Sequence, residues 1–322
     1  MGPLPTYDEL PRDESGSATA WGLFGEDDSL GRLNLITPEV VVGAVALVRR
    51  GVSFGLNLSI AEFVPPLDNT RAATRHRVLR GGNDGVEDLD DVLDDFFPQI
   101  SSQWDSLAHI AAWPNVFYNG RSAEDISVRG RNTIDHWSKK GVVTRGILLD
   151  LPLVRLRFPD LVPDTSHGSV AVSVEQLEAA RRLAGVDYSP GCAIVVRTGF
   201  VAWYRHQDRE SRTALAESLT APGIEHTEAM ARYLWDSGAS AVVSDSFATE
   251  VWPPDWSEVA RPFGFLHRVL TGRLGLAIGE LWDLAELGGD GALDGCYQFL
   301  LVSGQVGVPR GIGSPCKARA NK

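Results

Sequence analysis

"QISSQWDSLAHIAAW", residues 99–113, sets two side-chain amides, one carboxylate and one imidazole among small and apolar residues. Gln99, Gln103, Asp105 and His109 all carry odd numbers. On an extended strand they share one face, because side chains alternate. On one ideal helix 99 aligns with 103 and 105 with 109, but the two pairs point apart. The four converge only where at least part of the segment is extended. An ionised Asp and a neutral His are good ligands for a divalent ion, and a His beside them can move protons. A Gln offers only a neutral amide oxygen. The residues alone leave a second reading open, in which Asp105 caps a helix beginning at Ser106 and His109 is a hydrogen-bonded core residue.

The surrounding chain has 322 residues, 43% hydrophobic and 22% charged, as expected of a globular protein with a sizeable core. No apolar run approaches the length that spans a bilayer. The first residues, "MGPLPTYDELPRDESGS", are polar, acidic and Pro-rich. They lack the order of a signal peptide, so residues 1–20 are expected to form a mobile arm and residues 21–322 a single catalytic domain. A net charge of −12 repels phosphate backbones and argues against nucleic acid as a partner. Three widely spaced cysteines, Cys192, Cys296 and Cys316, suggest neither a disulfide framework nor a thiolate zinc site, and fit a cytoplasmic protein.

Helices and strands interleave along the chain. Thr37 and Pro38 open a helix that Gly51 is expected to stop. Ser173 and Gln176 form a capping box for a helix that ends at Gly185. A third helix runs from Thr227 to Gly238. Short β-rich runs lie at 146–151, 193–198, 239–245 and 297–302, so the class is α/β or α+β. Residues 84–95, "DGVEDLDDVLDD", hold seven acids in twelve positions and are expected to form a solvated loop or helix face. There is no G-x-G-x-x-G after a strand, no G-x-S-x-G, no H-E-x-x-H and no phosphate-binding loop. What remains is dispersed acid–base chemistry among seven His residues.

On these residues the segment resembles the metal-binding stretch of the cyclase family, which contains bacterial kynurenine formamidases and isatin hydrolases. That stretch usually reads H-x-G-T-H-x-D-x-P-x-H. Aligned on the Asp, Gln99 and Gln103 stand where two imidazoles are usual, while Asp105 and His109 match. The form "QWDSLAH…FYNG" is similar to a longer branch of the family. Further matches run from about Trp21 to Pro315, among them "WGLFGEDDSLGRLNLITPE", "GCAIVVRTGF" and "LHRVLTGRLGLAIGELWDL". In the last, His267 and Glu280 match the family's closing His…Glu pair. Glu280 is conspicuous without any resemblance, since a carboxylate among apolar residues is costly unless paired or metal-bound.

The resemblance implies a swivelling β/β/α fold and a homodimer or higher oligomer. It implies a divalent ion (Mn, Zn or Mg) held by Asp105, His267 and Glu280, with the amides of Gln103 and Gln99 as further ligands and with fewer imidazoles favouring harder ions. It assigns proton transfer to His109 and the substrate side to Trp21, Trp104 and Asn34. The expected activity is hydrolysis of a small cyclic or aromatic amide, lactam or lactone. The alternatives are a ring-closing cyclase or lyase of secondary metabolism, and a metal-free ligand-binding homologue. Three further residues receive structural roles: Arg197 pairs with Asp245, His226 sits on the surface near a helix start, and "RGIGSP" at 310–315 is a Gly-rich turn.

Overall fold

The apolar runs at 146–151, 193–198 and 239–245 are strands buried on both faces, which is why they read as continuous hydrophobic stretches rather than alternating ones. The computed structural model describes residues 4–322. Its strands begin with β1 (Ser53–Gly55), β2 (Arg75–Gly81), β3 (Asp88–Asp94) and β4 (Gln103–Asp105). Next come β5 (Val142–Asp150), β6 (Ala171–Val172), β7 (Ala193–Arg197) and β8 (Gly223–Ile224). The last are β9 (Ala241–Ser244), β10 (Ala277–Glu280), β11 (Gln298–Ser303), β12 (Gly313–Pro315) and β13 (Ala318–Asn321).

Nine strands form one mixed sheet in the order β1-β13-β11-β5-β7-β9-β10-β4-β12. The centre, β5 to β10, is parallel, and β4 and β11 pair antiparallel on either side of it. Alternation divides the core. Ile147, Leu149, Ile194, Val196, Val242 and Ile278 pack on one face. Leu148, Val195, Val243 and Trp104 pack on the other. The α/β class expected from the sequence is the class observed.

Local signals are mostly obeyed. Ser173 caps the helix Val174–Ala184 with Gln176 completing the box, and Gly185 ends it in the left-handed conformation. Thr227 caps Glu228–Asp236. The helix opened by Thr37 and Pro38 stops at Val45, well short of Gly51, because tighter turns take over at Ala46 to Val48. Residues 84–87 of the acidic run are turn and loop, but the stretch Asp88–Asp94 is neither loop nor helix. It supplies β3, paired antiparallel with the basic β2 in an exposed hairpin. Opposite charges account for the pairing: Arg77 meets Asp94 at 2.8 Å, His76 meets Asp91 at 2.6 Å, and Arg75 meets Asp95 at 2.8 Å.

Three further expectations are corrected. The segment before Trp21 does not behave as a mobile arm over its described part. Tyr7 is fully buried, its backbone N–H donates to Asp236, and Arg12 and Arg232 lie over its ring. Residues 1–3 of that arm lie outside the described residues. Arg197 pairs with Asp150, its register partner on β5, at 2.9 Å. Asp245 instead accepts from the Thr198 and Gly199 backbone where the chain leaves β7. The end of "RGIGSP" is β12, an edge strand that pairs with β4 residue for residue.

Trp104 anchors the short β4. It is fully buried, meets Trp282 edge-on at 5.0 Å and Trp137 at 6.2 Å, and donates its indole N–H to Ser303. Truncation to alanine leaves a large void. Trp104→Ala should cost about 3–5 kcal/mol in urea unfolding; a loss within the scatter of surface variants would contradict the anchoring role.

Candidate active site

β4 is extended over Gln103–Asp105, which puts Gln103 and Asp105 on one face and Trp104 on the opposite one. The chain then turns without forming a helix, His109 N–H donating to Ser106 O, so the capping reading of Asp105 does not hold. That turn swings His109 back until its Nε2 lies 3.9 Å from Asp105 Oδ1. The antiparallel register sets Glu280 of β10 directly across from Gln103. His267 arrives from the far side, as the first residue of the short helix His267–Leu270.

The result is a buried cluster. Asp105 is 0% exposed, His267 3% and Glu280 4%, and one ligand-type atom from each lies within 4.8 Å of the others. His267 Nε2 is 3.1 Å from Glu280 Oε1 and 3.9 Å from Asp105 Oδ2. No amide or hydroxyl donor reaches either oxygen; Glu280 Oε1 has only His267 Nε2 as a polar partner, and Asp105 Oδ2 has none within hydrogen-bond distance. The other oxygen of each carboxylate is held by an amide: Gln99 Nε2 donates to Asp105 Oδ1, and Gln103 Nε2 donates to Glu280 Oε2 at 2.6 Å. The Gln103 amide oxygen is also buried and unpaired. Buried acceptors without donors cost about 1–3 kcal/mol each, more when charged. Two bare carboxylate oxygens beside an imidazole nitrogen form a donor set that suits a divalent cation.

Titration follows from this crowding. Burial, and then the Asp105 carboxylate beside it, push the Glu280 carboxyl up to about 7. Burial alone would lower His267, but the carboxylates of Glu250 and Glu280 hold it well above its ordinary value. His109 moves the other way. Desolvation depresses its imidazole, against the pull of Asp105.

His267 and Glu280 of the cluster, with His109, line a cleft of about 210 Å³. Phe247, Trp252 and Phe265 wall it, and Asp68 and Arg71 stand on its rim. A larger hollow of about 660 Å³, beside Tyr188 and Tyr233, lies away from these donors.

Of the residues expected at the site, the structure brings together Gln99, Gln103, Asp105, His109, His267 and Glu280. It places the three substrate-side residues elsewhere. Trp104 is core, because alternation turns it away from the cleft. Trp21 packs on Trp113 and donates to Gly272 O, and Asn34 ties its own loop together through Asp28 and Gly31. His226 is not a surface residue, since its Nε2 lies 2.8 Å from Glu250. Glu250, 1% exposed, was not anticipated. Its signal, a carboxylate inside the largely small and apolar run "SFATEVW", is the one that exposed Glu280.

The family model named Cyclase matches residues 66–251, more than half of the chain. A crystal structure described as that of a novel cyclase is 27% identical, with a TM-score of 0.81, covering 94% of this chain and 99% of that one. Isatin hydrolase A from Labrenzia aggregata is 14% identical, with a TM-score of 0.57, over 88% of this chain and 97% of its own. An isatin hydrolase bound to the product analogue thioisatinate is 14% identical, with a TM-score of 0.56, over 88% and 98%. No curated protein matches the sequence significantly.

A cation entering the cluster must displace the protons on Glu280 and His267. Affinity for Mn²⁺ or Zn²⁺ should therefore tighten by at least roughly tenfold from about pH 6 to about pH 8. Titration calorimetry in buffers of different ionisation enthalpy checks both the trend and the proton release. An affinity flat across that range would contradict the assignment of Glu280 and His267 as ligands.

Proposed function

The chain belongs to the cyclase family and is an enzyme of hydrolase or cyclase type, and from that premise we propose that it hydrolyses a small cyclic or aromatic amide, lactam or lactone at a single-cation site. The observation that supports this most is the pair of bare oxygens, Asp105 Oδ2 and Glu280 Oε1, facing His267 Nε2 in a buried cluster. Asp105, His267 and Glu280 would hold the ion. When bound, a divalent ion supplies Lewis acidity, which acidifies water and polarises a carbonyl.

Gln99 and Gln103 act as orienting groups in this reading. Each amide donates to one oxygen of a carboxylate and leaves the other oxygen free. The charges fit one ion. Two carboxylates supply two negative charges, which balance one divalent cation. The amides add none, so a second cation would stay uncompensated in a buried site.

His109 is the proton carrier. Desolvation keeps its imidazole neutral at neutral pH, with Nε2 facing the cluster from the cleft side. It takes a proton from the attacking water and returns it to the leaving nitrogen or oxygen. Phe247, Trp252 and Phe265 give the flat apolar walls that suit a ring. Isatin, named in the related structures, is a cyclic aromatic amide of this kind.

Turnover of isatin, N-formylkynurenine and simple lactones, with and without chelator, tests the reading. Activity that chelator removes and Mn²⁺ or Zn²⁺ restores is expected; ring closure in place of hydrolysis, or turnover indifferent to chelator, would overturn it. His109→Ala should lower kcat by about 10²–10⁴ with folding intact, and undiminished turnover would remove His109 from its role. The acid limb of the native kcat/KM profile should fall below pH 6.5, because a depressed imidazole stays an active base until the pH drops through its lowered value. A limb at or above 6.5 would contradict that.

A further inference from the structure

We infer that Glu250 is a positioning residue that fixes the ring of His267 so that Nε2, and not Nδ1, faces the cation site. The inference rests on the reading of Asp105, His267 and Glu280 as ion ligands. Glu250 does not itself line the cleft. Its carboxylate accepts from His267 Nδ1, from the His267 backbone N–H at 2.8 Å and from the Leu266 backbone N–H at 2.5 Å. One side chain thus grips both the ring and the backbone of the same histidine. The ring cannot flip without losing its Nδ1 bond, and the residue cannot shift along the chain without losing the backbone bonds. An imidazole that donates Nδ1–H to a carboxylate presents a lone pair at Nε2 and becomes a stronger ligand.

The grip is itself built in. Glu250 is 1% exposed, so these bonds are made away from solvent. His226 Nε2 lies 2.8 Å from the second oxygen. The preceding Thr249 has φ 57°, a left-handed conformation that is strained for a β-branched residue. Its hydroxyl donates to Gly279 O at 2.9 Å, immediately before Glu280. The Thr249–Glu250 pair therefore ties the strand that carries one ligand to the ring of another, which is the kind of local conformation that persists where surrounding structure over-determines it.

Glu250→Gln keeps the shape and removes the charge. Titration of native protein and variant with Zn²⁺ or Mn²⁺ against a chromophoric chelator should show affinity lowered by about 10–100-fold, with an unchanged circular dichroism spectrum. His226→Gln, which leaves the His267 contacts in place, should lose less. Equal affinity in native protein and Glu250→Gln would overturn the inference while leaving the site reading intact. A native protein that binds neither ion would overturn the site reading and this inference with it. Nitrogen NMR of the Zn²⁺-loaded native protein gives an answer even if the variant fails to fold. A protonated Nδ1 and a metal-shifted Nε2 on His267 support the role of Glu250, and the reverse pattern refutes it.

Discussion

Three carboxylates, Asp105, Glu280 and Glu250, are buried around one imidazole, and this excess of negative charge is the constraint on which the site depends. Removing an ionised carboxylate from water costs several kcal/mol even after relaxation, unless charge and hydrogen bonds are returned to it. Glu250 accepts from the His267 ring and two backbone N–H groups, with His226 Nε2 2.8 Å away. Asp105 and Glu280 have half of their oxygens met, by Gln99 and Gln103, and keep one oxygen each that meets no donor beyond the His267 ring. The unmet half is directed to a single point beside His267 Nε2. A divalent cation there would satisfy both oxygens at once.

The sheet makes this arrangement reproducible. β4 has only three residues, yet it is clamped between β10 and β12 and held from behind by Trp104. Its alternation sends Gln103 and Asp105 to the site while the indole goes to the core. The register with β10 puts the Gln103 amide opposite Glu280. A slip of one residue would exchange the indole for the carboxylate and bury a charge among Trp137 and Trp282. The tryptophan packing that stabilises the strand also specifies where the ligands point.

Much of this was legible in the chain. The odd-numbered spacing of Gln99, Gln103, Asp105 and His109 let the four converge only with a partly extended segment; β4 supplies it for Gln103 and Asp105, and turns bring in Gln99 and His109. Glu280 betrayed itself by lying among apolar residues. The central strands and the Ser173 and Thr227 caps followed from pattern and local chemistry. What was not legible depended on contacts between distant segments. Trp104 lies inside the right motif, but only the sheet shows that it faces away from the cleft. The Asp150 partner of Arg197 follows from a parallel register that no local pattern encodes. The acidic run became a strand because a basic strand lay across from it, which composition alone could not reveal. Glu250 carried the same signal as Glu280, but its importance appears only when His267 is placed beside it.

Anomalous diffraction from a crystal soaked in Mn²⁺ bears most directly on the central claim. The account predicts one strong peak per chain, bounded by Asp105 Oδ2, Glu280 Oε1 and His267 Nε2, with the Gln99 and Gln103 amide nitrogens still on the outer carboxylate oxygens. A second peak on the Gln99 side, or no peak within the cluster, would contradict it.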